Sequence, residues 1–203
     1  MTTNEESWER LLDPDRVRPS LFMATMFITN FEILKNSVVD RVGAYYSIDW
    51  GIEGAEVRPA YKAEVLSRNK SPLYASLDWL HEHEAINDED LEAFERLKKI
   101  RNLLAHQLLE VVTGQVESRH EVEFHVLVKL LRKVEVWWVV NVEIPCNPDF
   151  DNEEIDEDGI VPSAILTTQM LWEVASGNSA LLENWRKMRT LSASLKPRPE
   201  ARN

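Results

Sequence analysis

Apolar residues recur at three- and four-residue steps along most of the chain, the periodicity of helices that bury one face. Leu21, Phe22, Met26, Phe27, Phe31, Leu34, Val38 and Val42 predict a first long helix, from an N-cap at Ser20 to about Tyr46. Gly51, Gly54 and Pro59 mark a loop, followed by a short helical stretch over 60–67. Ser71-Pro72 opens another helix, with proline in the first turn, that carries Leu73, Leu77 and Leu80 to about Ile86. Asn87-Asp88, with Glu89 and Asp90 behind it, is a helix start that complements the helix dipole. The helix expected there runs from about Glu89 to Val112, where Gly114 stops it. Leu91, Phe94, Leu97, Ile100, Leu104, Leu108 and Val111 form its stripe. A further helix is expected from His120 to about Val140. The β-branched run over 134–142 leaves a strand as the alternative for its second half. Two last helices are read over Ser163–Ala175 and Ser179–Ser192.

Between and around these elements the pattern lapses. Residues 1–18 are polar, contain Pro14 and Pro19, and read as a flexible arm pinned by Trp8. Residues 145–162 read as an acidic connector, and 193–203 as a disordered tail. The expected fold is therefore all-α: an up-and-down bundle of about five to seven helices, in a single domain over 19–192.

Charge narrows the function classes. The chain carries a formal charge of −12 and has a pI near 4.9. General DNA or RNA binding needs a basic stripe that neutralises phosphates, and none is visible. Lys98, Lys99 and Arg101 lie together, but Glu92, Glu95 and Glu110 flank them. RNA would need a small local positive site or a partner's help. The lone Cys146 fits a reducing cytoplasm. The acidic N-terminus does not read as a signal peptide, and no apolar run approaches a membrane span.

One segment carries a chemical pattern. Arg101 and His106 sit five residues apart within Ile-Arg-Asn-Leu-Leu-Ala-His-Gln, on the long helix of an all-helical chain. The element resembles the core of the HEPN superfamily, helical bundles whose catalytic members carry Arg-x(4–6)-His, usually with a polar residue after the arginine. The resemblance is close over that helix and architectural elsewhere. It implies a symmetric homodimer with a composite cleft, metal-independent RNA cleavage without a cofactor, and a 2′,3′-cyclic phosphate product. In that reading His106 is the general acid or base, Arg101 stabilises the phosphorane-like transition state, and Asn102 orients the histidine or a phosphate oxygen. A toxin subgroup of the family has a tyrosine two residues after the histidine. Leu108 stands there, so control by nucleotidylation of that tyrosine is not expected.

Helix geometry refines the motif. At about 100° per residue, Arg101 falls inside the apolar stripe centred near Leu97, Leu104 and Leu108. A guanidinium there needs a carboxylate or phosphate partner. Glu32 and Asp40 on the first long helix are the candidates within this chain. His106 points about 140° away from Arg101 and shares a face with Asn102. The pair can line opposite walls of one groove or meet a second copy's pair across a two-fold axis. Leu103 and Leu109, on the Asn102 side, read either as a dimer interface or as a broad core contact.

Other signals are weaker. His81-Glu82-His83-Glu84 places its histidines two apart on a helix, pointing away from each other, and so makes a poor metal site. The acidic run over 153–159 lacks the bidentate glutamate of a calcium loop, since Ile165 occupies that position. No metal site is expected. Cys146 has no histidine in local pattern. Trp137 and Trp138 read as packing residues.

Three roles follow as expectations. The first is a cytoplasmic endoribonuclease acting as a prokaryotic toxin or defence effector. The second is a non-catalytic interaction protein, similar in outline to the acidic mannitol-operon regulators. The third is an antitoxin or immunity protein whose acidity mimics nucleic acid and which binds a basic partner.

Overall fold

The computed structural model describes residues 4–46, 59–150 and 154–195. The chain is all-α, and no strand occurs among the described residues. The helices are α1 (Asn4–Leu12), α2 (Pro14–Tyr45), α3 (Pro59–Tyr61), α4 (Pro72–Glu82), α5 (Asp88–His106), α6 (Leu108–Val112), α7 (His120–Trp138), α8 (Ser163–Ala175) and α9 (Ala180–Leu195). The chain divides into two compact units, Met1–Ile165 and Leu166–Asn203, where the pattern had suggested one domain over 19–192.

The first unit is a helical bundle built round α2, which packs on α7, α4 and α5. Phe27, Leu34, Val38 and Val42 of α2 are fully buried against Leu80, Leu97, Leu104, Leu127 and Leu131. Phe31 and Phe94 meet with ring centroids 5.4 Å apart. Helix α7 continues through a π turn at Val139–Glu143 into a 3-10 turn at Ile144–Cys146, so the β-branched run is helical. Its packing on α2 outweighs the strand propensity of its valines.

The beginning of the chain differs from the expected loose arm. Helix α1 covers Asn4–Leu12, and α2 begins at Pro14 rather than after Ser20. Asp13 is the cap. Its carboxylate accepts from the Asp15 N–H at 3.0 Å, and Pro14 takes the first helical position, where a missing N–H costs nothing. Pro19 then lies inside the helix near its start rather than ending it. Trp8 does not pin α1, being 56 % exposed, whereas its neighbour Ser7 is buried.

Two other boundaries moved. Helix α4 ends at Glu82, four residues early, through a turn in which Glu84 has φ +59°. The helix expected to run to Val112 is broken at Gln107, whose φ of −134° and ψ of 37° leave the helical region. Helix α6 restarts at Leu108 and ends before Gly114, at φ +73°. At that φ a side chain is strained whatever the space, so glycine suits the position, and the Arg10 side chain lies over it with Nη1 2.0 Å from where a β-carbon would stand.

The acidic connector is partly structured. It carries 3-10 turns at Pro148–Phe150 and Glu157–Gly159, and the Arg132 guanidinium donates to the carbonyls of Glu157 (2.9 Å) and Asp158 (3.2 Å). The second unit contains most of α8 and all of α9, joined by a turn with Gly177 at φ +87°. The tail expected to be disordered over 193–203 is helical through Leu195, and the rest of it lies outside the described residues.

Candidate functional site

Helix α5 starts on a full capping box. The Asn87 side chain accepts from the Asp90 N–H at 3.0 Å, and the Asp90 carboxylate accepts from the Asn87 N–H at 2.9 Å. That start fixes the register of everything downstream. Ala93, Phe94, Leu97 and Leu104 turn into the core, and Arg101 follows them to the edge of it.

Arg101 has the carboxylate that its position demands. Its Nη2 donates to Glu32 Oε1 on α2 and its Nη1 to Asn102 Oδ1 at 3.3 Å. Lys35 donates to the other oxygen of Glu32 at 2.7 Å. The Lys35 hydrogen bond, more than that of Arg101, holds the Glu32 carboxyl below its usual range, against an opposing push from burial. Arg101 Nε is buried and has no partner among the described residues. Asp40, the other candidate, is exposed and makes no bond to Arg101. It lies more than two turns along α2 from Glu32, beyond the reach of a side chain held by that residue.

His106 is the last residue of α5 and is exposed, as is Asn102 one turn earlier. Its ring makes no hydrogen bond to any described residue. Glu32, Arg101 and Asn102 are thus brought together by direct contacts, while His106 stands apart from them at the helix end. Along the helix it is about 7.5 Å from Arg101 and ~140° round the axis. The break at Gln107 separates the two flanking leucines: Leu103 packs against the core, and Leu109 is 60 % exposed. The remaining histidines are placed differently. His83 stacks on Trp79, with ring centroids 3.9 Å apart. His81 reaches Asp88 at 3.1 Å. His120 is buried with Nδ1 3.0 Å from Ser118 Oγ, and burial lowers its pKa. Among the described residues no cluster of His, Cys, Asp and Glu is placed to hold a metal ion.

No family model, curated protein or solved structure matches this chain.

A second charged cluster was missed by the sequence reading. Arg41 of α2 donates to both oxygens of Glu135 (3.2 and 2.6 Å) and to Glu143 at 2.6 Å. Glu135 is 1 % exposed, the most deeply buried charge among the described residues. The signal was present: Glu135 is a carboxylate inside the run Val134-Glu135-Val136-Trp137, and it demands a cation as Arg101 demands an anion. Beside it lies an aromatic group. Trp79 stacks on Trp138 at 5.8 Å and donates to the Tyr46 hydroxyl at 3.0 Å. Burial, and then the hydrogen bond to Glu64, push the Tyr46 phenol up to about 12. These contacts bind the elements of the bundle together, although the buried Trp138 Nε1 has no hydrogen-bond partner among the described residues.

Among the described residues, no helix is long and apolar enough to cross a membrane.

Proposed function

We propose that the chain is a HEPN-type, metal-independent endoribonuclease, cytoplasmic and acting as a toxin or defence effector. The observation that carries this reading is the contrast at the end of α5: an exposed His106 with no internal partner, beside an Arg101 that Glu32 holds in place. Asn102 lies between them in the sequence. An imidazole titrates near neutral pH in its ordinary state, which suits it to proton transfer. An arginine fork suits a phosphate.

In the step proposed, the ribose 2′-oxygen attacks the adjacent phosphorus and its proton passes to an imidazole. The bond from phosphorus to the 5′-oxygen breaks, and that oxygen takes a proton from a second acid. The products are a 2′,3′-cyclic phosphate and a 5′-hydroxyl. Arg101 stabilises the charge on the non-bridging oxygens. With Arg101 and His106 on different faces of α5, a homodimer places two copies of each in one cleft, where one His106 serves as base and the other as acid. The test is purified wild type against His106→Ala on total RNA, with end-group analysis. Loss of cyclic-phosphate ends is the expected result, and equal cleavage by both proteins would overturn the reading.

A second reading is favoured by the −12 charge and by the Arg101–Glu32 pair, which satisfies the arginine within the chain. On this reading the protein is a non-catalytic regulator, or an antitoxin or immunity protein that binds a basic partner. Failure to cleave RNA as a dimer, together with copurification of a basic protein, would support it.

A further inference from the structure

Where α1 and the first part of α2 meet the end of α6 and the start of α7, the first unit holds a cavity of about 630 Å³. A volume of that size suits a small molecule. His120, the first residue of α7, lines the cavity and is only 4 % exposed. Its Nδ1 is 3.0 Å from Ser118 Oγ, and its Nε2 is buried with no partner among the described residues. A ring nitrogen shut off from both water and protein partners is costly, and a ligand atom beside it removes that cost.

The other polar groups in the lining are mainly donors. The Arg10 side chain lies over Gly114 and makes no ion pair with a described residue. The hydroxyls of Ser20 and Ser118 line the same space. No side chain caps the start of α7, a 19-residue helix, and the His120 N–H reaches only Ser118 Oγ, at 3.4 Å. Uncapped N–H groups at the positive end of a helix favour an anion. Arg16, Glu117 and Glu121 also line the cavity, so its arginines and glutamates balance in number. They do not balance in depth. Arg10 is half-buried and His120 buried, whereas both glutamates are exposed, as is Arg16, which pairs with Asp13 at 3.3 Å. Solvent screens the exposed charges most. Val111, Val112 and Val116 supply an apolar side.

We propose that this cavity binds a small molecule by its phosphoryl or sulfuryl oxyanion, with Arg10 and His120 as the charged donors and the three valines against the organic part. Binding takes up a proton. In the free protein the imidazole is neutral, since burial lowers its pKa against an opposing pull from Glu121. Beside a bound oxyanion both ring nitrogens are protonated, Nδ1 donating to Ser118 Oγ and Nε2 to the anion. The exposed Glu117 and Glu121 disfavour a polyanionic strand, which would have to run past them. The proposal does not rest on the nuclease reading of α5, and its test measures no cleavage.

The test is calorimetric titration of the full chain with sulfate, whose charge is the same at about pH 6 and about pH 8, with circular dichroism as the folding control. Sulfate is expected to bind at least about fivefold more tightly at the lower pH. Arg10→Gln is expected to weaken binding by about tenfold or more. His120→Gln, which keeps an N–H donor that cannot titrate, is expected to remove the pH dependence. Glu117→Gln with Glu121→Gln is expected to tighten binding a few-fold. Should the His120 variant fail to fold, the wild-type ring signals of His120 followed by NMR serve instead, with a titration midpoint expected to rise by roughly one pH unit in sulfate. Glycerol phosphate is expected to displace sulfate, and an RNA oligomer without terminal phosphates is not. Four results would overturn the proposal: no binding at ~20 mM sulfate, affinity equal at the two pH values, binding lost in Arg101→Gln but kept in Arg10→Gln, or displacement by the RNA oligomer in place of glycerol phosphate.

Discussion

Helix α2 meets two arginines in apolar settings, and they are treated differently. Arg41, on α2 itself, has Nε, Nη1 and Nη2 all engaged by Glu135 and Glu143, and one of those carboxylates is almost wholly buried. Arg101, reaching α2 from α5, is as exposed as Arg41 (30 % against 29 %), but it shares its one carboxylate, itself 32 % exposed, with Lys35, and its buried Nε has no partner. Three charge-assisted bonds to two carboxylates, one of them almost wholly buried, hold α2 to the end of α7 and the turn after it. A pair whose carboxylate is a third open to solvent holds the arginine with less, and the terminal nitrogens of Arg101 keep N–H groups beyond those given to Glu32 and Asn102. The same residue type at two different contacts of α2 thus marks a fastening in one region and a candidate site in the other.

The comparison can be broken most sharply at His106. His106→Ala is expected to lower RNA cleavage by 10²–10⁴-fold, as loss of a general acid or base does, with the thermal midpoint unchanged. Measurable stability loss without loss of cleavage would place His106 with the structural group. Next in size is the fastening itself. Glu135→Ala leaves the Arg41 charge half-paired in a low-dielectric region and should cost about 3 kcal/mol in urea unfolding. A cost under ~1 kcal/mol would remove the distinction between the two arginines. Leu104→Ala, which opens a cavity in the core about one turn along α5 from Arg101, is expected to cost roughly 2–5 kcal/mol.

Glu32→Gln comes lower. The Glu32–Arg101 pair is about one-third exposed on both sides, so solvent screening should hold the loss to about 1 kcal/mol or less. If Arg101 is the phosphate-binding group, the same change should reduce cleavage by more than this stability loss accounts for, because the fork is no longer held in place. The smallest effect is a pH dependence. The folded Glu32 carboxyl is held below its unfolded value, so its ionised form stabilises the fold. That contribution is fully present above the unfolded pKa near 4.5 and is lost as pH falls through the lower folded value. Glu32→Gln should flatten the acid limb of the stability curve over that interval and leave neutral pH behaviour otherwise parallel.

Some of this was legible without coordinates. Periodicity placed α8 to the residue, and Asn87 announced the start of α5. Position alone required a partner for Arg101. The choice between Glu32 and Asp40 was not legible, because it depends on how α2 slides against α5, and single-helix geometry says nothing about that. Helix α1 was hidden behind two prolines that looked like breaks, although Pro14 is a helix start and Pro19, the sixth residue of α2, forgoes one bond to the preceding turn without ending the 32-residue helix. The break at Gln107 had no local signal at all. Leu104, Leu108 and Val111 keep helical spacing across it, and neither glycine nor proline marks it. It is a consequence of tertiary packing, which turns Val111 and Val112 together into the core and leaves Leu109 outside.

That break also uncouples the two segments it joins. In a continuous helix, a residue added or lost after His106 would swing Val111 by about 100° and strain every contact back to Asn87. With the non-helical joint at Gln107, such a change can be absorbed as a different bend between α5 and α6. Arg101, Asn102 and His106 then keep their orientation, set from the capped end of α5. The α6 wall can vary in length and sequence while the chemical groups stay where the Asn87 cap put them.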